Sequence, residues 1–139
     1  MNEVTKLTIF RKKVNNRVLK RVITKIIYFL GADILVDVCV GEGVEFCHNA
    51  LGTVIHPNTI IGNDVSVYQN VTIGKARVKD KKQIKIIIEE GAVLCAGSKI
   101  LAKDNLVVGK NTIIAANSVL LKSTGENEVW GGIPARRLK

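Results

Sequence analysis

The stretch Ile55–Gly74, IHPNTIIGNDVSVYQNVTIG, decides the fold. Ile55, Ile61, Val67 and Ile73 recur every six residues, and Thr59, Val65 and Val71 form a second row at the same interval. Gly62 and Gly74 follow the first row, while Asn or Asp fills the intervening corners. A helix repeats near 3.6 residues and an exposed strand near 2, so neither produces a strict six. A solenoid does, with one short strand and one turn per hexad and three hexads per coil. The stretch reads as part of a β-helix.

Upstream, Ile34, Val40 and Phe46 extend the main row. The step of nine from Phe46 to Ile55 then inserts three residues at a corner around HNALG. Downstream, residues 75–87 hold six Lys or Arg and break the register, so their centre reads as a loop leaving the coil. Phase returns at Ile88, Leu94 and Ile100, and a two-residue insertion precedes Val108, Ile114 and Leu120. Ala92, Ser98, Thr112 and Ser118 fill the small-residue row. Residues 32–121 thus form about four to five coils. The tail, 122–139, leaves the repeat, and Trp130 is expected to lie as a lid over the last coil. Arg11 to Leu30 reads as one short amphipathic helix, with Val14, Val18, Val22 and Ile26 on one face, widened by Leu19, Ile23 and Ile27. Residues 1–10 carry no signal. The basic segment 1–31 is expected to cap the open first coil; an anionic bilayer or a partner subunit are the other surfaces its helix fits.

Composition narrows the partners. Twenty-one Lys or Arg against 12 Asp or Glu give a net charge of +9, which favours anionic ligands. No nucleic-acid motif accompanies the charge, so a nucleic-acid partner is not expected. Cys39, Cys47 and Cys95 are odd in number and form no CxxC pair, which fits reduced thiols in the cytoplasm, with the inner face of the membrane as an additional location. No signal peptide is visible, and the apolar run IIYFLGADILV carries Asp33 and is too short to span a bilayer.

His48 and His56 are the only histidines. His48 falls in the corner insertion, where its side chain points outwards; His56 sits in a regular corner before Pro57. A general base needs a neutral imidazole, oriented by a carboxylate on its other nitrogen. Asp33, fifteen residues upstream in a coil of about eighteen, can reach His48, with Asp37 as competitor. Two histidines do not make a three-imidazole zinc site, so no metal is expected. Ser66, Ser98 and Ser118 fit repeat positions, no G-x-S-x-G elbow exists, and Cys47 is an unpromising nucleophile beside His48. Removal of a proton from an acceptor hydroxyl by His48, followed by direct acyl transfer from a thioester, suits this layout best. Lys81, Lys82 and Lys85 in the loop, with Arg136 and Arg137 in the tail, are candidates for coenzyme phosphates.

The hexads, together with ADI at 32–34, the His48 corner, SVYQNVTIG at 66–74 and GGIPAR at 131–136, resemble the left-handed parallel β-helix acyltransferases. Within that superfamily, residues 33–139 most resemble the catalytic domain of serine O-acetyltransferase and its short relatives in polysaccharide synthesis. The resemblance implies a left-handed coil, a homotrimer with active sites between subunits, and a catalytic pair matching His48 and Asp33. It implies acetyl-CoA as cofactor, held along Gly74, Ala96, Gly97, Ala116, Asn117, Pro134 and Arg136. Three departures stand out. Lys85 occupies the place of a second family histidine, a short helix replaces the large helical domain, and the tail ends in RRLK. They favour a different hydroxyl acceptor, so the expected activity is O-acetylation of a sugar or polysaccharide precursor. Serine O-acetylation and a non-catalytic trimeric scaffold are the alternatives.

Overall fold

The structure is a computed structural model that describes residues 1–139. Two helices come first, α1 (Glu3–Lys13) and α2 (Arg17–Phe29). The first coil holds β1 (Asp33–Ile34), β2 (Cys39–Val40) and β3 (Glu45–Phe46), and the second β4 (Val54–Ile55), β5 (Thr59–Ile61) and β6 (Ser66–Val67). The third holds β7 (Thr72–Lys75), β8 (Ile86–Ile88) and β9 (Val93–Leu94); the fourth, β10 (Lys99–Ala102), β11 (Leu106–Val108) and β12 (Ile113–Ile114). The chain closes with β13 (Val119–Leu120), β14 (Val129–Gly132) and β15 (Ala135–Arg137). Three parallel sheets make the faces of the coil: β1-β4-β7-β10-β13, β2-β5-β8-β11, and β3-β6-β9-β12-β14, with β15 added antiparallel to β14. This is the β-helix that the hexads announce, with the left hand that the resemblance implies.

The ladder register displays the hexad arithmetic. Ile55 pairs with Ile73, eighteen residues on, which is three uninterrupted hexads. Phe46 pairs with Val67 at an offset of 21, because the corner insertion adds three. Ile61 pairs with Ile88 at 27, across the loop, and Ile100 with Leu120 at 20, across the two-residue insertion. Each insertion leaves the coil at a corner, so the inward row is never displaced. Ile34, Phe46, Ile55, Ile61, Val67, Ile73, Ile88, Leu94, Ile100, Val108, Ile114 and Leu120 are all buried. Corner residues Asp64, Asn70, Asn111, Asn117 and Asn127 adopt positive φ, which short polar side chains tolerate best among non-glycine residues.

Three expectations are corrected. First, the N-terminal segment is two helices rather than one. Val14 is extended, and Asn16 restarts the helix by accepting from the Val18 and Leu19 N–H groups at 2.9 and 3.1 Å. Within residues 1–10, silent in the sequence, Asn2 caps α1 and the helix begins at Glu3. This helix buries Val4, Thr5, Thr8 and Arg11 against the first coil. The Arg11 guanidinium, 4 % exposed, donates to the carbonyls of Ile34 and Leu35 and to the Thr24 hydroxyl, tying both helices to β1. Burial lowers its pKa, opposed by the nearby Asp37 carboxylate. Second, α2 buries only Ile23 and Ile27, whereas Val18, Val22 and Ile26 face outwards. Third, Trp130 is no lid: it sits in the inward row, paired with Ile114 at an offset of 16, and the tail supplies a further rung. Its indole N–H donates to Glu128 at 2.8 Å, and Lys122 lies 5.5 Å from the ring centroid.

Candidate active site

The corner between the β3 and β1 sheets carries the candidate site. In the first coil it is the insertion itself, where His48, Asn49 and Ala50 all take left-handed backbone angles, with φ of 52°, 55° and 48°. Consecutive non-glycine residues in this region are strained and persist only where surroundings hold them. The holding contacts come from α1. Its capping residue Asn2 donates to the Phe46 carbonyl, and the Thr5 hydroxyl accepts from Phe46 N–H at 3.0 Å. Val4 N–H donates to the Asn49 side chain at 3.3 Å. The first helix is therefore a brace for the His48 turn.

His48 is exposed and its ring makes no hydrogen bond within the protomer, so both nitrogens are free for a ligand. The Tyr68 ring lies one coil below, 6.4 Å away between centroids at 50°. Asp33 is half-buried in β1, its N–H donating to the Thr53 carbonyl at 2.8 Å, and no hydrogen bond joins its carboxylate to His48. Cys47, beside His48, has its thiol pKa pushed up, chiefly by burial and then by Glu45, so it is protonated at neutral pH.

Below His48 the same corner repeats in every coil, stacked by backbone hydrogen bonds. Gly97 N–H donates to Gln69 at 3.0 Å and Asn117 N–H to Ala96 at 2.9 Å. Gly132 N–H reaches the Ser118 hydroxyl at 3.1 Å. Ala96, Gly97, Ala116, Asn117 and Pro134 thus fall in one column of small residues beneath the histidine. Gly97 has φ +72°, and a Cβ there would meet Asn117 Oδ1 at 2.1 Å. Gln69, in the same column, has a buried Oε1 with no protein partner. Neither Gln69 nor Tyr68 was singled out from the sequence; their position before the corner Asn70 was the available signal.

Other candidates lie elsewhere. Gly74 sits roughly 13 Å further along its strand from the corner. Lys85, at the end of the loop, lines a cleft of 430 Å³ on another face with Asp37, Asn58, Gln83 and Asn105. Lys81 and Lys82 border a second hollow beside His56. His56 Nδ1 accepts from Asn58 N–H at 3.1 Å, and burial together with Lys75 lowers its pKa. Arg136 is exposed opposite Gly131 on the β14–β15 hairpin, whereas Arg137 pairs with Glu128 at 3.2 Å. No group of three or more His, Cys, Asp or Glu side chains comes together.

No protein-family model matches the chain. Curated relatives do. The serine acetyltransferase of Haemophilus influenzae is 40% identical over 97 residues, 70% of this chain and 35% of that protein. The Staphylococcus epidermidis serine acetyltransferase is 34% identical over 112 residues, 81% of this chain and 51% of that protein. Among solved structures, a truncated serine acetyltransferase apoenzyme has TM-score 0.79 and 32% identity, covering 97% of this chain and 55% of that one. The Brucella abortus serine acetyltransferase in complex with coenzyme A has TM-score 0.80 and 27% identity, covering 96% and 54%. The chain spans between a third and about half of the length of these curated relatives. These relatives and solved structures are all serine acetyltransferases, which overturns the expectation of a sugar or polysaccharide acceptor and favours the serine alternative. The chain belongs to the hexapeptide-repeat, left-handed β-helix superfamily, alongside the serine acetyltransferases.

Proposed function

We propose that the protein is an acetyl-CoA-dependent O-acetyltransferase acting on the hydroxyl of L-serine. The observation that carries this reading is the column of small residues descending from an exposed, unpartnered His48, in a chain 40% identical to a serine acetyltransferase. His48 accepts the proton of the acceptor hydroxyl. The Asp33 carboxylate, on the strand that begins the same coil, orients the imidazole once a ligand orders both. Bound acetyl-CoA supplies the acyl group as an activated thioester.

The column fits that cofactor. Its side chains are no larger than those of Ala, Asn and Pro below Gln69, leaving room for a narrow pantetheine arm, and the orphaned Gln69 Oε1 offers it an acceptor. Arg136, exposed on the β14–β15 hairpin, is the candidate cation for phosphate. Lys85 departs from the family histidine, and its cleft holds a cation and an anion, Lys85 and Asp37. That pairing matches the carboxylate and ammonium of an amino acid. Because His48 and Lys85 lie on different faces of one protomer, the complete site is proposed to form between neighbouring subunits of a homotrimer. The three free thiols fit a reducing cytoplasm.

Free-thiol release from acetyl-CoA tests the reading. Release is expected with L-serine and not with sugars or nucleotide sugars as acceptor. Release with a sugar alone, or with no acceptor tried, would overturn it.

A further inference from the structure

The charge of this protein is concentrated at one end. Residues 1–32 contain eight Lys or Arg and one acid, so +7 of the net +9 lies in the helical segment. Val4 to Ala32 contains no Asp or Glu. On α2, Lys20, Ile23, Thr24 and Ile27 form the inward side, and only the two isoleucines are buried. At 100° per residue, Val18, Leu19, Val22, Ile26 and Phe29 share one outward sector, away from Arg17 and Arg21. They are exposed, Val18 at 69% and Phe29 at 86%, although apolar surface of this continuity is rarely left in water.

We propose that α2 docks this apolar sector in the interface of an anionic lipid bilayer, with Arg17, Arg21 and Lys25 drawn to the headgroups. The helix is amphipathic and basic, the combination that lies in a membrane surface. No helix of the protein is long and apolar enough to cross a membrane, so the contact is peripheral. A second copy is the weaker occupant, because pairing two α2 helices brings their basic residues together without an acid on either helix to offset them. Nucleic acid would use the charge and leave the apolar sector in water. The proposal is independent of acyl transfer, and its readout is binding alone.

The test is co-sedimentation of the full chain with phosphatidylcholine vesicles, with and without phosphatidylglycerol. Binding is expected only to the anionic vesicles and is lost as ionic strength approaches about 1 M, where screening shortens to about 3 Å. Each basic side chain near the surface contributes about fivefold in partitioning, so Arg17→Gln with Arg21→Gln weakens binding roughly 25-fold. Val18→Ser with Phe29→Ser weakens it at least about tenfold. All four side chains are exposed, and unchanged circular dichroism verifies the fold. Equal binding to neutral vesicles, no binding to either, or full binding by both variants overturns the proposal. So does a smaller sedimentation coefficient of V18S/F29S in the absence of lipid, which assigns the face to a second copy.

Discussion

Replacing Thr5 by Val removes one hydroxyl from the brace behind the His48 turn. Thr5 is 2% exposed, and its oxygen is the acceptor for Phe46 N–H at 3.0 Å. Valine keeps the volume and leaves that N–H enclosed without a partner, a penalty of about 1–3 kcal/mol. With an unfolding entropy near 2.1 cal/mol/K per residue, the melting temperature falls by roughly 3–10 °C. Thr8 provides the control one helical turn later. It is equally buried, but its hydroxyl has no partner, so Thr8→Val relieves a desolvation cost and leaves stability unchanged or raised by about 1 kcal/mol. Urea denaturation followed by circular dichroism measures both, and turnover falls with Thr5→Val because Phe46 leads directly into the turn. A neutral Thr5→Val, or a Thr8→Val that costs as much, would refute the brace.

Further outcomes follow from other contacts. Gly97→Ala places a side chain at φ +72° and against Asn117 Oδ1; it destabilises by about 1–3 kcal/mol from the backbone alone and weakens coenzyme A binding, seen by calorimetry. Cys47 and Cys95, whose thiol pKa values are raised by burial, are alkylated slowly at pH 7, while exposed Cys39 reacts first in a mass-spectrometric time course; Cys47→Ala keeps turnover. Glu128 has its pKa lowered by the Trp130 indole N–H first, then by the Gly125 N–H and Arg137. Its contribution is therefore complete above the ordinary glutamate range and is lost as pH falls through the depressed folded value. Acidification releases the tail, read as a red shift of the single tryptophan, and Glu128→Gln flattens that transition.

The coil was legible because its signal is local. Six-residue spacing set the inward row, and each break in spacing located an insertion whose size reappears as a register offset of 21, 27 or 20. The last rung escaped because the offset shortens to 16, so Trp130 no longer falls on the count. The role of α1 escaped for a different reason: Asn2, Val4 and Thr5 act on Phe46 and Asn49, more than forty residues away, and no periodicity records such contacts. For α2 the apolar residues cover two adjoining sectors, and pattern alone does not say which one meets the coil. At the candidate site, the corner insertion singled out His48, and the resemblance singled out the small residues that the fold stacks beneath it, together with Gly74, which the fold places further along its strand. The departure at Lys85 was legible too, but the inference drawn from it, a non-serine acceptor, did not survive comparison with the relatives. A lysine facing Asp37 across a cleft is a feature of the folded chain that spacing does not reveal.

The most direct measurement of the central claim separates binding from chemistry at His48. Coenzyme A affinity and L-serine-dependent thiol release are determined side by side for the wild type and His48→Ala. Loss of the general base lowers kcat by about 10²–10⁴-fold, while coenzyme A binds with unchanged affinity, since the column below the histidine is intact. Undiminished turnover in His48→Ala would contradict the account.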